Sequence, residues 1–413
     1  MISSLIKKQQ TKPKPIPLTK TLLKAFSTQT NFDTIIIGAG SIGVPTAMEL
    51  QEAGLKVLVL DKRASPGQGD NKCAIGGIRA THSNASKILS GLRSLKIFSQ
   101  WKEKHGFEIE WKKGGYLFPV YREAEEKALK SILPIQQSFG MEIDFVSADR
   151  VKELVPGINE NGLRGGTWSP NDGSASPMLS SLGFYKYATE LGAQFHFKEE
   201  VIEFIRDSHG ALTGVKTALG TYHAPIIIDA AGAASPKLMK QIGLNLPVEP
   251  DSHEAGITEP TEKFFSPMVV DMRPGKGSKN YYFYQNIHGQ VIFCITPDPA
   301  IKGLDREETS VFLPQVSKRI IDLLPRLANV RVRRTWRGLY PMTPDGNPLL
   351  GWNKEVKGLF TATGMCGQGY MLGPGYATAI RSAITKKEMS KDDNTILSAA
   401  DPHRTFQGTE IFK

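Results

Sequence analysis

The sequence predicts an α/β protein whose parallel sheet is assembled from segments far apart in the chain. Three observations predict it. Phe32 to Ile37 is a short β-branched run, suited to a strand buried on both faces, and Gly38-Ala39-Gly40-Ser41-Ile42-Gly43 follows at once. His223 to Gly232 (HAPIIIDAAG) and Leu359 to Gly369 (LFTATGMCGQG) are two more apolar runs that end on glycine. At 413 residues the chain is long enough for two packed domains.

After the first glycine run comes a helical pattern with Ala47 and Leu50 facing inward, ended by Gly54. Lys56 to Leu60 (KVLVL) then makes a second strand, finishing at Asp61 and followed by Lys62. Each spacing has a cause. Gly38 permits the tight turn, Gly40 lets the backbone approach a pyrophosphate, and Gly43 lets helix and strand pack closely. First-turn amides at Ser41 and Ile42, with the helix dipole, suit a diphosphate. Pro45 sits in that first turn, where its missing N–H costs nothing. Asp61, 21 positions after Gly40, suits the hydroxyls of an adenosine ribose and argues against a 2′-phosphate.

The unit is therefore a Rossmann-type βαβ fold for a dinucleotide, and by itself it does not separate FAD from NAD. The two later crossings decide for FAD. Together with Gly38, Ala231-Gly232 and the Gly367-Gln368-Gly369 loop are distributed from one end of the chain to the other and imply one sheet of discontinuous segments that can carry a long dinucleotide from adenine to isoalloxazine.

The formal charge of +10 is unevenly placed. Lys7, Lys8, Lys12, Lys14, Lys20 and Lys24 lie in residues 1–30, which contain no Asp or Glu, leaving about +4 for the rest. This acid-free leader reads as a mitochondrial transit peptide, with a disordered tail as the alternative, and implies the mitochondrial matrix. Arg331, Arg333, Arg334 and Arg337 cluster around Trp336, but the alternation Val330-Arg331-Val332-Arg333 reads as a half-exposed strand, so nucleic-acid binding is not expected. No apolar run is long enough for a membrane-spanning helix. Cys73, Cys294 and Cys366 are too scattered for a disulfide framework or a redox pair, and the eight histidines show no metal-ligand spacing, so no metal is expected.

Four further stretches resemble the D-amino-acid oxidase superfamily of FAD-dependent amine oxidoreductases. They are Cys73 to Arg79 (CAIGGIR), Trp168 to Gly173 (WSPNDG), Gly338 to Gly346 (GLYPMTPDG) and Gly364 to Pro374. The likeness is strongest to the β-subunits of dye-linked L-proline dehydrogenase and heterotetrameric sarcosine oxidase, and it covers roughly residues 32–385. It implies that Gly76-Gly77-Ile78-Arg79 passes beside the flavin ring and that the segment around Val201 contacts adenine. It also implies that Gly367, Gln368, Gly369, Tyr370 and Met371 follow the ribityl chain and pyrimidine edge. Independently, glycines there let amides approach a ligand, and Gly373-Pro374-Gly375 is expected to start a helix whose positive end faces the flavin.

Two departures matter. Relatives of the glycine-oxidase type carry an arginine where this chain has Tyr340, and monomeric sarcosine oxidase carries a lysine where it has Met371; both bind substrate carboxylate. The latter enzyme also attaches its flavin through a cysteine where this chain has Gly338, so FAD here is expected to be non-covalent.

Amine oxidation asks the protein for a carboxylate-binding cation or hydroxyl set and an aromatic wall. Arg79 is the candidate cation, with His82 three residues on. Tyr282 and Tyr284 alternate in a strand-like run and share a face, and Tyr340 occupies the carboxylate-arginine position. Each has a purely structural alternative as a packed or hydrogen-bonded core residue.

The expected division is an FAD-binding domain of residues 31–112, 165–246 and 331–390. An α+β substrate domain with an antiparallel sheet takes 113–164 and 247–330, and 391–413 is a weakly ordered tail. The expected activity is oxidation of an amino acid or secondary amine by hydride transfer to flavin N5, with a possible protein electron acceptor. An FAD-containing assembly factor for a respiratory complex is the alternative.

Overall fold

The computed structural model describes residues 30–385 and 389–408. The expected leader therefore lies outside the described residues, apart from Thr30. Six strands form the first sheet, in the order Leu349–Trp352, Leu359–Thr363, Ile226–Asp229, Thr34–Ile37, Val57–Asp61, Gln194–Phe197. All neighbours are parallel except the antiparallel edge strand Leu349–Trp352. Central strands read as continuous apolar runs because both faces are covered. Ile36, Val57 and Val59 pack under helices with Leu50, Phe98 and Ile380, while Ile35, Ile37, Leu58 and Leu60 pack under a small three-stranded sheet with Val215.

The second sheet has eight strands, in the order Val332–Met342, Glu249–Pro260, Gln290–Pro297, Ser278–Gln285, Met268–Asp271, Tyr116–Val120, Gly165–Ser169, Asp144–Val146. It is antiparallel save for the pairing of Met268–Asp271 with Tyr116–Val120. One face packs Leu117, Val269, Phe283 and Ile295 with the amphipathic helix Phe312–Leu323. The opposite face looks toward the first sheet. Gly165–Ser169 and Val332–Met342 pair into this sheet, although they were expected in the FAD-binding part; their ladders to Tyr116–Val120 and Glu249–Pro260 place them there.

Two more expectations are corrected. Gly373-Pro374-Gly375 does not start a helix: the helix runs Gly369–Thr385 and contains Pro374. Its two glycines are needed for close packing. A Cβ on Gly373 would come within 2.1 Å of the Ser41 carbonyl, and one on Gly375 within 2.0 Å of the Ser90 carbonyl. The C-terminal segment is not weakly ordered through residue 408. Ser390 and Asp393 form a reciprocal capping box that starts helix Lys391–Ala399, whose Ile396 is buried. Arg93 and Arg404 then pin the segment through Asp393 (2.6 Å) and Asp345 (2.9 Å).

Among the described residues, no helix is long and apolar enough to cross a membrane, and no cluster of metal-ligating side chains occurs.

Candidate active site

The carboxyl ends of the parallel strands open into a cavity of about 510 Å³ between the two sheets. That position follows from topology. Strands adjacent to Thr34–Ile37 leave in opposite directions, and ligands of open parallel sheets lie in the resulting crevice.

The glycine turn makes the first wall. A Cβ on Gly43 would lie 1.8 Å from the Gly38 carbonyl, so Gly43 serves helix packing and does not line the cavity. A Cβ on Gly40 meets no protein atom within 4 Å and would project into the cavity, which is the space a diphosphate needs. Gly38, Ser41 and Ile42 line the same stretch. The Asp61 carboxylate ends the second strand and accepts the Ala39 and Arg63 amides, each at 2.7 Å. A carboxylate offers about four acceptor sites, so it keeps capacity for ribose hydroxyls. Lys62, Val201, Ala231 and Gly232 extend this end. Gly76 and Gly77 line the middle, and Gly367, Gln368, Gly369, Tyr370 and Met371 close the other side. The residues present fit FAD.

Side chains make the second wall. Arg79, Tyr282 and Tyr340 all line the cavity. The buried Arg79 guanidinium donates to the Thr81 carbonyl, lies 3.4 Å from His82 Nδ1, and sits about 6 Å from the Tyr116 and Phe118 ring centres. Tyr282 and Tyr340 join hydroxyl to hydroxyl at 2.7 Å. Burial raises both phenols well above their ordinary range, so they stay neutral.

His82 and Tyr284 stand outside the lining. His82 is fully buried behind Arg79; burial, with Arg79 and Lys87 nearby, pushes its pKa well down and keeps the imidazole neutral. Tyr284 shares the face of Tyr282, but its hydroxyl donates to the Ile75 carbonyl at 2.6 Å and props the Gly76 turn.

Sequence reasoning missed several lining groups: His253, Cys294, Thr296 and Asn280. His253 stacks on the Tyr340 ring at 3.7 Å and meets Asp251 through Nε2 at 3.2 Å. Tyr340 also rests on Gly367, where a Cβ would come within 2.2 Å of its ring. Cys294 pairs across the sheet with Tyr282, and burial pushes its thiol up to about 11. The signal existed: Asn280 lies two residues before Tyr282 and so shares its face.

The FAD dependent oxidoreductase family model matches residues 33–382. The chain belongs to that family. It is an FAD enzyme of the amine and amino-acid oxidoreductases, as the resemblance implied. The crystal structure of L-proline dehydrogenase from P. horikoshii superposes with a TM-score of 0.84 at 30% identity, covering 91% of this chain and 98% of that one. Glycine oxidase of Geobacillus kaustophilus is 24% identical over 87% of this chain and 95% of its own length. Mitochondrial sarcosine dehydrogenase of Homo sapiens is 24% identical over 87% of this chain, which spans 40% of that longer protein.

Proposed function

We propose that this FAD-dependent oxidoreductase oxidises the C–N bond of a small amino acid or secondary amine, of the proline or N-methylglycine kind, with hydride passing to flavin N5. The observation that carries the reading is that Arg79 and the Tyr282–Tyr340 hydroxyl pair line one glycine-walled dinucleotide cavity. FAD, when bound, supplies the hydride acceptor. Arg79 supplies a positive charge suited to a substrate carboxylate, held in place by the Thr81 carbonyl and backed by a neutral His82. The neutral tyrosines orient the substrate by hydrogen bonds without altering its charge. Tyr116 and Phe118 supply an aromatic wall that excludes water.

The cofactor is held without a covalent bond on this reading. Residue 338 is glycine, and the space its side chain would need is filled by Cys73, whose Cβ would be 2.5 Å away. The acid-free leader supports a mitochondrial location, and the likeness to β-subunits supports electron transfer to a partner protein.

The test is turnover with an artificial dye as acceptor, using the protein from residue 28 onward and proline, N-methylglycine, glycine and D-amino acids. Dye reduction with formation of the matching imine or carbonyl product supports the reading. FAD-loaded protein that turns over none of them sinks it.

A further inference from the structure

The cavity floor contributed by the eight-stranded sheet is divided into two halves of different chemistry. Toward the Tyr116–Val120 strand it is apolar, with Tyr116, Phe118, Val270 and Met272. Toward the Glu249–Pro260 strand it is hydrogen-bonding, and the residues form cross-strand rungs. Tyr282 lies opposite Cys294, and the next rung on the same face sets Asn280 opposite Thr296. Successive rungs on one face are about 7 Å apart. Thr296 donates its hydroxyl to Asn280 Oδ1 at 2.8 Å, so the amide fixes the rotor and the threonine oxygen keeps its lone pairs as acceptors for a ligand hydroxyl or amide N–H. His253, opposite Gly338 on the neighbouring strand, continues the polar half.

Beyond the amine and carboxylate, proline and N-methylglycine have no further group for such a pair. Polar side chains in a site of this kind contribute when they meet a complementary ligand and discriminate against ligands that lack one. We propose that the Asn280–Thr296 pair is a second recognition point, taking a hydroxyl or carboxamide that the substrate carries beyond its amine-bearing carbon. The inference rests on the reading above that the cavity accepts an amino acid or amine. It narrows that class to substrates with a polar tail, which reach from the Tyr282–Tyr340 pair to the next rung.

The experiment compares parent and hydroxylated amines on the FAD-loaded protein: proline against 4-hydroxyproline, and N-methylalanine against N-methylserine. Anaerobic flavin reduction by the hydroxylated member of a pair is expected to exceed its parent by about tenfold or more in second-order rate constant. In T296V and N280A that ratio falls toward one. Ratios of one or below in the wild type for both pairs would overturn the proposal. Equal losses for both members in the variants would also overturn it, by assigning the pair to the carboxylate that all these substrates share. Should no amine reduce the flavin, the proposed function fails separately. Calorimetric binding of the same pairs to the oxidised protein then decides: a hydroxyl preference lost in T296V sustains the second recognition point, and equal binding removes it.

Discussion

The two walls of the cavity are built on opposite principles. The wall from the parallel sheet presents backbone: Gly38, Gly40, Gly76, Gly232 and Gly367 bring the chain itself to the cofactor space, and the Asp61 carboxylate marks the ribose end. The wall from the antiparallel sheet presents side chains on alternate positions of its strands, and their chemistry changes from aromatic to polar across the sheet. A backbone wall is intolerant of any added atom but indifferent to neighbouring side chains. A side-chain wall keeps its shape through substitution while its chemistry changes. The first holds a cofactor shared by a whole family, and the second is where substrate choice can diverge.

Substitutions can break this contrast. Gly40→Leu should cost the most, lowering FAD affinity by about 100-fold or more while far-UV circular dichroism stays that of the wild type, because its Cβ meets no protein atom within 4 Å and the side chain starts into ligand space. Retention of stoichiometric FAD in that variant would contradict the diphosphate placement. On the opposite wall, Arg79→Met should leave FAD bound and slow flavin reduction by amino acids about 100-fold, through loss of a charge-assisted contact. Tyr340→Phe should slow it about tenfold, since only one hydroxyl of the Tyr282 pair is removed and the His253 stack remains. Rates unchanged in both would move the substrate site elsewhere.

The smallest effect sharpens the contrast away from the cavity. Glu49, buried on the first helix and paired with Arg381 at 2.7 Å, has its carboxyl raised to about 7, chiefly by burial. The folded state thus keeps a proton that the unfolded chain releases above about pH 4.5. Stability should fall as pH rises from about 4.5 to about 7, by at most on the order of 3 kcal/mol. Glu49→Gln should flatten that slope in pH-dependent chemical denaturation and leave FAD affinity alone.

The backbone wall was legible in the sequence because its requirements are steric and local. Gly38 and Gly43 must be glycine because a Cβ would strike neighbouring backbone, Gly40 because its Cβ would enter the cofactor space, and Asp61 must follow at the end of the next strand. The side-chain wall was only partly legible. Tyr282 and Tyr340 were found, the first by alternation and the second by resemblance. Tyr284 satisfies the same alternation yet spends its hydroxyl on Ile75, which depends on a turn more than 200 residues away in the chain. His253 and Cys294 carry no local signature; strand register alone brings them beside Tyr340 and Tyr282. The end of the chain was misjudged for a different reason. The Ser390–Asp393 capping box was present in the sequence, but the helix it starts is short and gains its order from Arg93 and Ile396 packing onto a distant helix.

The central claim is that the backbone wall holds FAD and the side-chain wall brings an amine to it. Anaerobic titration of the purified protein's flavin with proline, N-methylglycine, glycine and D-amino acids, followed at the visible flavin band, tests it most directly. The account predicts that at least one of these bleaches the band stoichiometrically and that Arg79→Met slows the bleaching. Flavin that dithionite reduces but every amine leaves untouched would contradict it.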